Sequence, residues 1–126
     1  MKLVVGGYGQ GKAAFACEKF GFRAEEVVDG REASLEELAV AQVVRNYHLY
    51  LRRLMEQGES LEKANDELLK RNPHVILIAD EIGCGLVPLE AAEREYRDVV
   101  GHLLCKVAAE AEQVYRVFCG IGRRIK

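Results

Sequence analysis

The aliphatic run Leu3-Val4-Val5 passes without a break into Gly6-Gly7-Tyr8-Gly9-Gln10-Gly11-Lys12, and this junction constrains the fold more than any other stretch. Aliphatic residues that stop at a glycine cluster read as a strand and a turn. Lys12 to Phe20 then place Ala, Phe and Cys at helical spacing, and Gly21 closes that helix. Gly6 to Ala13 fit the phosphate-loop pattern G-x-x-x-x-G-K in all but its last position. Glycines let backbone N–H groups wrap an anion, the helix N-terminus adds partial positive charge, and the lysine reaches the terminal phosphates. Gly6, Gly7, Tyr8, Gly9, Gln10, Gly11, Lys12 and Ala13 are therefore the expected nucleotide-binding residues. Ala13 stands where the pattern has a hydroxyl that serves magnesium. Magnesium keeps several waters, so losing one ligand weakens binding without forbidding it.

The remaining chain alternates strand and helix signals. Glu25 to Asp29 read as a short strand ending in an acid and a turn at Gly30. Ser34 and Glu37 form a capping box, so a helix begins there and is predicted to run unbroken to Gln57, stopping at Gly58. A second helix is expected from Ser60 to about Arg71, ended by Asn72-Pro73. His74 to Ala79 are an almost wholly aliphatic run of the kind buried on both faces of a sheet. Pro88 suits the first turn of a last helix reaching about Glu112. Val114 to Phe118 make a closing strand, finished by Gly120 to Lys126. This order predicts an α/β fold of three layers: a largely parallel sheet with helices on both faces, formed by one phosphate-loop domain over residues 1–126. Ligands of such sheets sit at the carboxyl ends of the strands.

Three acids fall at those ends. Asp29 and the adjacent Asp80-Glu81 are candidates for holding magnesium or orienting a nucleophile. Two neighbouring acids after a buried strand are costly unless something positive is nearby. Asp29 and Asp80 are the expected metal ligands, and Lys12, Asp29 and Glu81 the expected catalytic groups. His48, on a mostly apolar helix face, reads first as a structural histidine. Arg97 is a candidate phosphate contact, and Cys84, in the glycine-punctuated loop after Glu81, a candidate ligand contact.

Composition narrows the classes. The 126 residues carry 18 basic and 20 acidic side chains, a net charge of −2, which argues against a dedicated nucleic-acid binder. No run approaches the roughly 18 apolar residues of a membrane span. Four cysteines without paired spacing, and no leader-like start, predict reduced thiols and a cytoplasmic location.

Asp80-Glu81-Ile82-Gly83-Cys84-Gly85-Leu86-Val87-Pro88, then Glu95 to Gly101 with Tyr96-Arg97-Asp98, then Gly120-Ile121-Gly122 with its basic tail, resemble one family. This is the adenosylcobinamide kinase/adenosylcobinamide-phosphate guanylyltransferase family. Its members share a strand ending in N-E-V-G-x-G-I-V-P, an F-R-D helix, a final G-I-G and an N-terminal G-G-x-x-S-G-K-S. The resemblance covers residues 1–20 and about 74–126. It implies phosphorylation of a cobinamide hydroxyl by ATP or GTP with Mg2+, then GMP transfer to that phosphate. It also implies a corrinoid substrate and a homo-oligomer, typically a trimer. Residues 21–26 contain no histidine, where the family carries the one that accepts GMP, so the kinase half-reaction is the one expected. The rival expectation is a non-catalytic nucleotide- or corrinoid-binding module that kept the fold.

Overall fold

A computed structural model describes residues 1–83 and 86–126; Cys84, and with it the expected ligand contact there, lies outside the described residues. Strands β1 (Lys2–Gly6), β2 (Val27–Asp29), β3 (Val43–Arg45), β4 (Ile76–Asp80), β5 (Gln113–Phe118) and β6 (Ile121–Arg124) form one sheet in the order β2-β3-β4-β1-β5-β6. Every neighbouring pair is parallel except β5 with β6. The expected α/β architecture is present.

Side-chain alternation along the strands splits the core into two. Leu3, Val44, Leu77 and Ala79 face one side, which helices α2 (Leu35–Val40), α3 (Tyr47–Glu56), α4 (Leu61–Arg71) and α5 (Ala91–Glu110) cover with Leu38, Leu51, Leu68 and Val100. Val4, Val43, Ile76 and Ile78 face the other side, packed with Ala16, Phe15 and Phe20 of helix α1 (Lys12–Phe20). Consecutive residues that bury opposite ways are what a period of two produces, which is why β4 reads as a continuous apolar run.

The chain between Ser34 and Gln57 departs from the single helix expected there. Helix α2 stops at Val40, β3 follows, and α3 starts at Tyr47. Val43 and Val44 are both fully buried, one in each core, between β2 and β4. A helix puts adjacent residues about 100° apart and cannot serve opposite layers with them. The end of α2 is capped from far along the chain: the Asn72 side-chain amide donates to the carbonyls of Leu38 and Ala41 at 2.9 and 2.7 Å. The expected strand from Glu25 shortens to β2, because Ala24–Glu26 form a single 3-10 turn. Helix α5 begins three residues after Pro88, with Glu90 as its N-cap. Ser34 caps α2 as the sequence indicated, and Ser60, where the second helix was expected to begin, is the N-cap of α4.

The last two strands are joined by a two-residue turn, Cys119-Gly120, both residues with positive φ. That is the twist-compatible turn of a tight hairpin, and it carries the chain back beside α1.

Leu77 is fully buried at the centre of β4, in register with Leu3 on one side and Val44 on the other. Leu77→Ala is expected to cost about 3 kcal/mol of stability, measured by urea denaturation.

Candidate functional site

Strand β1 delivers the glycine loop to the position where the strand order turns, between the chain's outward path to β2 and its later arrival at β5. The loop passes close to backbone: a Cβ on Gly6 would stand 2.5 Å from the Val117 carbonyl oxygen. Gly11 takes a left-handed conformation, φ 84°, to start α1. Helices α2 and α4 have serine caps, whereas α1 begins with no side-chain cap and no acid in its first turn. Its first N–H groups are therefore oriented for an external acceptor.

The hairpin tip braces this loop. The Gly120 N–H donates to the Gln10 carbonyl at 2.7 Å, and the Cys119 N–H to Gln10 Oε1 at 2.8 Å. Gln10 thus holds the loop's shape through both its backbone and its side chain. Tyr8, at the loop tip, is 91% exposed and free to contact a ligand.

Lys12 folds back under the loop and is buried. Its Nζ donates to the Gly7 carbonyl at 2.7 Å and sits 2.6 Å from Asp80 Oδ1. The same carboxylate meets a buried histidine: His48 Nε2 lies 3.4 Å from Asp80 Oδ2. The Asp80 backbone N–H donates to His48 Nδ1 at 3.1 Å, which assigns the ring proton to Nε2. Burial pushes the His48 pKa down, the Asp80 carboxylate pushes it back up, and the Lys12 charge adds to the lowering. The net direction is down, so the ring is neutral at neutral pH. Tyr96 of α5 fixes the other end of this residue, its hydroxyl donating to the His48 carbonyl at 3.1 Å.

Glu81 belongs to a second pair. Arg116 of β5 grips its carboxylate with two bonds, Nε to Oε1 at 2.7 Å and Nη2 to Oε2 at 3.1 Å, while the Glu81 N–H donates to the Gly6 carbonyl. Asp29, at the end of β2, lies in a third cluster with Arg31, Arg45 and Asn46. The structure therefore joins Lys12 to Asp80 and ties the Glu81 backbone to Gly6, but directs the Asp29 carboxylate to other partners. Arg97 donates to the Leu86 carbonyl and secures the segment before α5.

Arg116 completes the site beyond the residues singled out from the sequence, and His48, read there first as a structural histidine, joins it through Asp80. The direction of His48 was not readable because the break between α2 and α3, which turns it toward β4, is a tertiary effect. Arg116 is one basic residue in a strand, and only the register of β5 against β1 brings it toward Glu81.

Asp80 suits a magnesium ion held mainly by phosphate oxygens and water, since one or two carboxylates suffice there. Among the described residues no group of three or more His, Cys, Asp and Glu side chains is placed to hold a metal ion by itself. A cavity of about 610 Å³ lies elsewhere, lined by Tyr50, Arg53, Lys63 and Glu67 among others and by none of the glycine-loop residues. No helix among the described residues is long and apolar enough to cross a membrane.

Comparison with known proteins places this geometry. The sequence model described as cobinamide kinase / cobinamide phosphate guanyltransferase matches residues 32–125, well over half of the chain. The chain belongs to this family. Two curated relatives are the bifunctional adenosylcobalamin biosynthesis proteins CobU of Salmonella typhimurium and of Escherichia coli K12. Each is 40% identical over 52 residues, covering 41% of this chain and 29% of the relative. The matched segment thus spans under a third of either CobU. His48, Asp80, Glu81 and Arg116 lie within the range matched by the family, and the glycine loop lies before it.

Two outcomes follow from the electrostatics. Asp80→Asn leaves buried Lys12 without its counter-charge and is expected to cost about 3 kcal/mol, read by urea denaturation. At Asp29, burial pushes the carboxyl pKa up, but hydrogen bonds from Arg31 and Asn46, and the Arg31 charge, outweigh it and hold the group well below the usual carboxylate range. A depressed folded-state pKa adds stability that is complete above the unfolded value of about 3.9 and is lost as pH falls toward the folded one. Asp29→Asn should therefore flatten the stability profile below about pH 4, measured by thermal unfolding across pH.

Proposed function

We propose that the chain is a nucleotide-dependent transferase of cobalamin biosynthesis that phosphorylates the hydroxyl of an adenosylcobinamide-type corrinoid with ATP or GTP. The observation that carries this reading is the buried Lys12, set under an uncapped helix N-terminus and paired with a strand-end aspartate. Phosphoryl transfer requires mostly positioning and charge stabilisation. The Gly6–Ala13 loop offers N–H donors to the phosphates, and Lys12 exchanges its contacts to Gly7 and Asp80 for phosphate oxygens. Asp80, released from that ion pair, is the residue that would hold magnesium, and the ion would neutralise charge on the phosphate oxygens. Neutral His48 orients Asp80 through its Nε2–H.

Glu81 is the group we assign to the substrate hydroxyl. It follows Asp80 in the chain at the same strand end, and Arg116 fixes the direction of its carboxylate. Asp29 we assign to neither metal nor hydroxyl, because its partners are cationic or amide donors. The kinase half-reaction is preferred over GMP transfer because the residue His48, the histidine of the site, is engaged on Asp80 through both ring nitrogens. A homo-oligomer, a trimer by family resemblance, forms part of the same proposal.

Lys12→Ala is expected to weaken ATP or GTP binding at least tenfold while the variant stays folded by circular dichroism. Unchanged nucleotide affinity in a folded variant overturns the assignment of the loop.

A further inference from the structure

Helices α3 and α4 and the turn that enters α2 border the cavity of about 610 Å³ that lies away from the glycine loop. Small-molecule sites usually have volumes of roughly 300–1,000 Å³. Ala33, Leu35, Leu54 and Ala64 give this cavity an apolar lining, and side chains of both charges stand around it.

Arg53 is its partly buried cation. Nη2 donates to the carbonyls of Gly30 and Ala33, while Nε is buried with no hydrogen-bond partner. Among the described residues no carboxylate lies within 4 Å of this guanidinium, whereas its neighbour Arg52 pairs with Glu56 and Glu93. A partly buried cation with an unused donor and no close counter-charge is costly. The cavity that Arg53 lines is the space from which an anion can reach it. Tyr50 supplies a second polar group. It is 3% exposed, lines the same cavity, and among the described residues its hydroxyl makes no hydrogen bond. Two neighbours hold its ring: Tyr47 stacks on it with centroids 5.9 Å apart, and the Arg53 guanidinium carbon lies 5.5 Å from its centroid. Burial holds the Tyr50 pKa above its ordinary value; the charge of Glu59 adds to the rise, Arg53 opposes it and Glu67 adds to it. The hydroxyl thus lies in the field of two acids and one arginine.

Glu59, Lys63 and Glu67 follow at intervals of four, from just before the Ser60 cap into α4, and all three line the cavity. Among the described residues Glu59 and Lys63 make no ion pair within 4 Å, and Glu67 makes a long one of 3.7 Å with Arg71. Arg53 and Lys63 therefore face Glu59 and Glu67 around one cavity, and their charges sum to zero. A dianion placed there is repelled by the two acids, and a simple cation by the two bases. A molecule with one carboxylate and one ammonium group satisfies both sets, and a planar guanidinium matches a carboxylate in shape.

We propose that this cavity binds a small zwitterion of the amino-acid class, with its carboxylate on Arg53 and Lys63 and its ammonium group on Glu59, Glu67 and the Tyr50 hydroxyl oxygen. The apolar part of the ligand packs on Leu35 and Leu54. None of these residues belongs to the site around Lys12 and Asp80, and the inference does not rest on the proposed transferase function.

The test is an NMR titration of the nitrogen-15-labelled full chain, without nucleotide or corrinoid. The probes are L-leucine, which carries both charges, N-acetyl-L-leucine, which keeps only the carboxylate, and L-leucinamide, which keeps only the ammonium group. Leucine is expected to shift the Arg53 Nε–H and the amides of Tyr50, Leu54 and Lys63 saturably, with a Kd of about 1 mM or tighter. It should bind at least tenfold more tightly than either analogue. Arg53→Gln should weaken leucine at least tenfold. If that variant does not fold, Lys63→Gln and Glu59→Gln, both at exposed positions, should each weaken it at least threefold. Saturable shifts confined to other parts of the chain, or none, overturn the site. Equal binding of leucine and one of the analogues overturns the zwitterion assignment, and unchanged leucine affinity in the folded variants overturns the role of these residues.

Discussion

Lys12 and Asp80 meet at 2.6 Å, the lysine buried and the aspartate partly so, and the arrangement around them follows from that contact. An ammonium group under a glycine loop is costly unless a counter-charge is fixed nearby. β4 supplies the counter-charge because it is the strand hydrogen-bonded to β1, with Gly6 and Asp80 in register. The aspartate in turn needs partners for its second oxygen, and His48 provides one from α3. The central pair thus ties together the loop, the two middle strands and the helix that follows β3. Under the proposed function, a phosphate entering the loop would replace a carboxylate as the partner of Lys12, exchanging one anion for another rather than exposing a bare cation.

The same end of the sheet holds three acids with three surroundings. Asp80 faces a lysine and a neutral imidazole, Glu81 is gripped by Arg116, and Asp29 collects Arg31, Arg45 and Asn46. Proximity to strand ends made all three look alike in the sequence. Their partners separate them: Asp80 is paired with the glycine-loop lysine, whereas Asp29 is saturated by guanidinium and amide donors. The distinction lies in side chains from 2 residues away (Arg31 to Asp29) to 68 residues away (Lys12 to Asp80) in sequence, which local pattern cannot show.

What was legible in the sequence is local. The aliphatic run into the glycine loop, the helix closed at Gly21, the serine cap at Ser34, the helix from Ser60 and the apolar run of β4 each rest on chemistry within a few residues. What was not legible depends on distant contacts. β3 is three residues long and lies between two stretches with helical periodicity, so a continuous apolar stripe concealed it. Its existence follows from the need to fill the space between β2 and β4, and from the cap that Asn72 places on α2. Because β3 was hidden, the direction of His48 was hidden with it. The family resemblance, carried by the Asp80–Pro88 stretch and the chain ends, identified the fold without revealing this inner strand.

The most direct test of the account is to incubate the wild-type chain with adenosylcobinamide, magnesium and ATP or GTP, and to weigh the recovered corrinoid by mass spectrometry. A corrinoid heavier by one phosphate group is the predicted result, and it would show that the Lys12–Asp80 site transfers phosphate without a hydroxyl at position 13. An unchanged corrinoid, with nucleotide bound to the chain, would contradict the account.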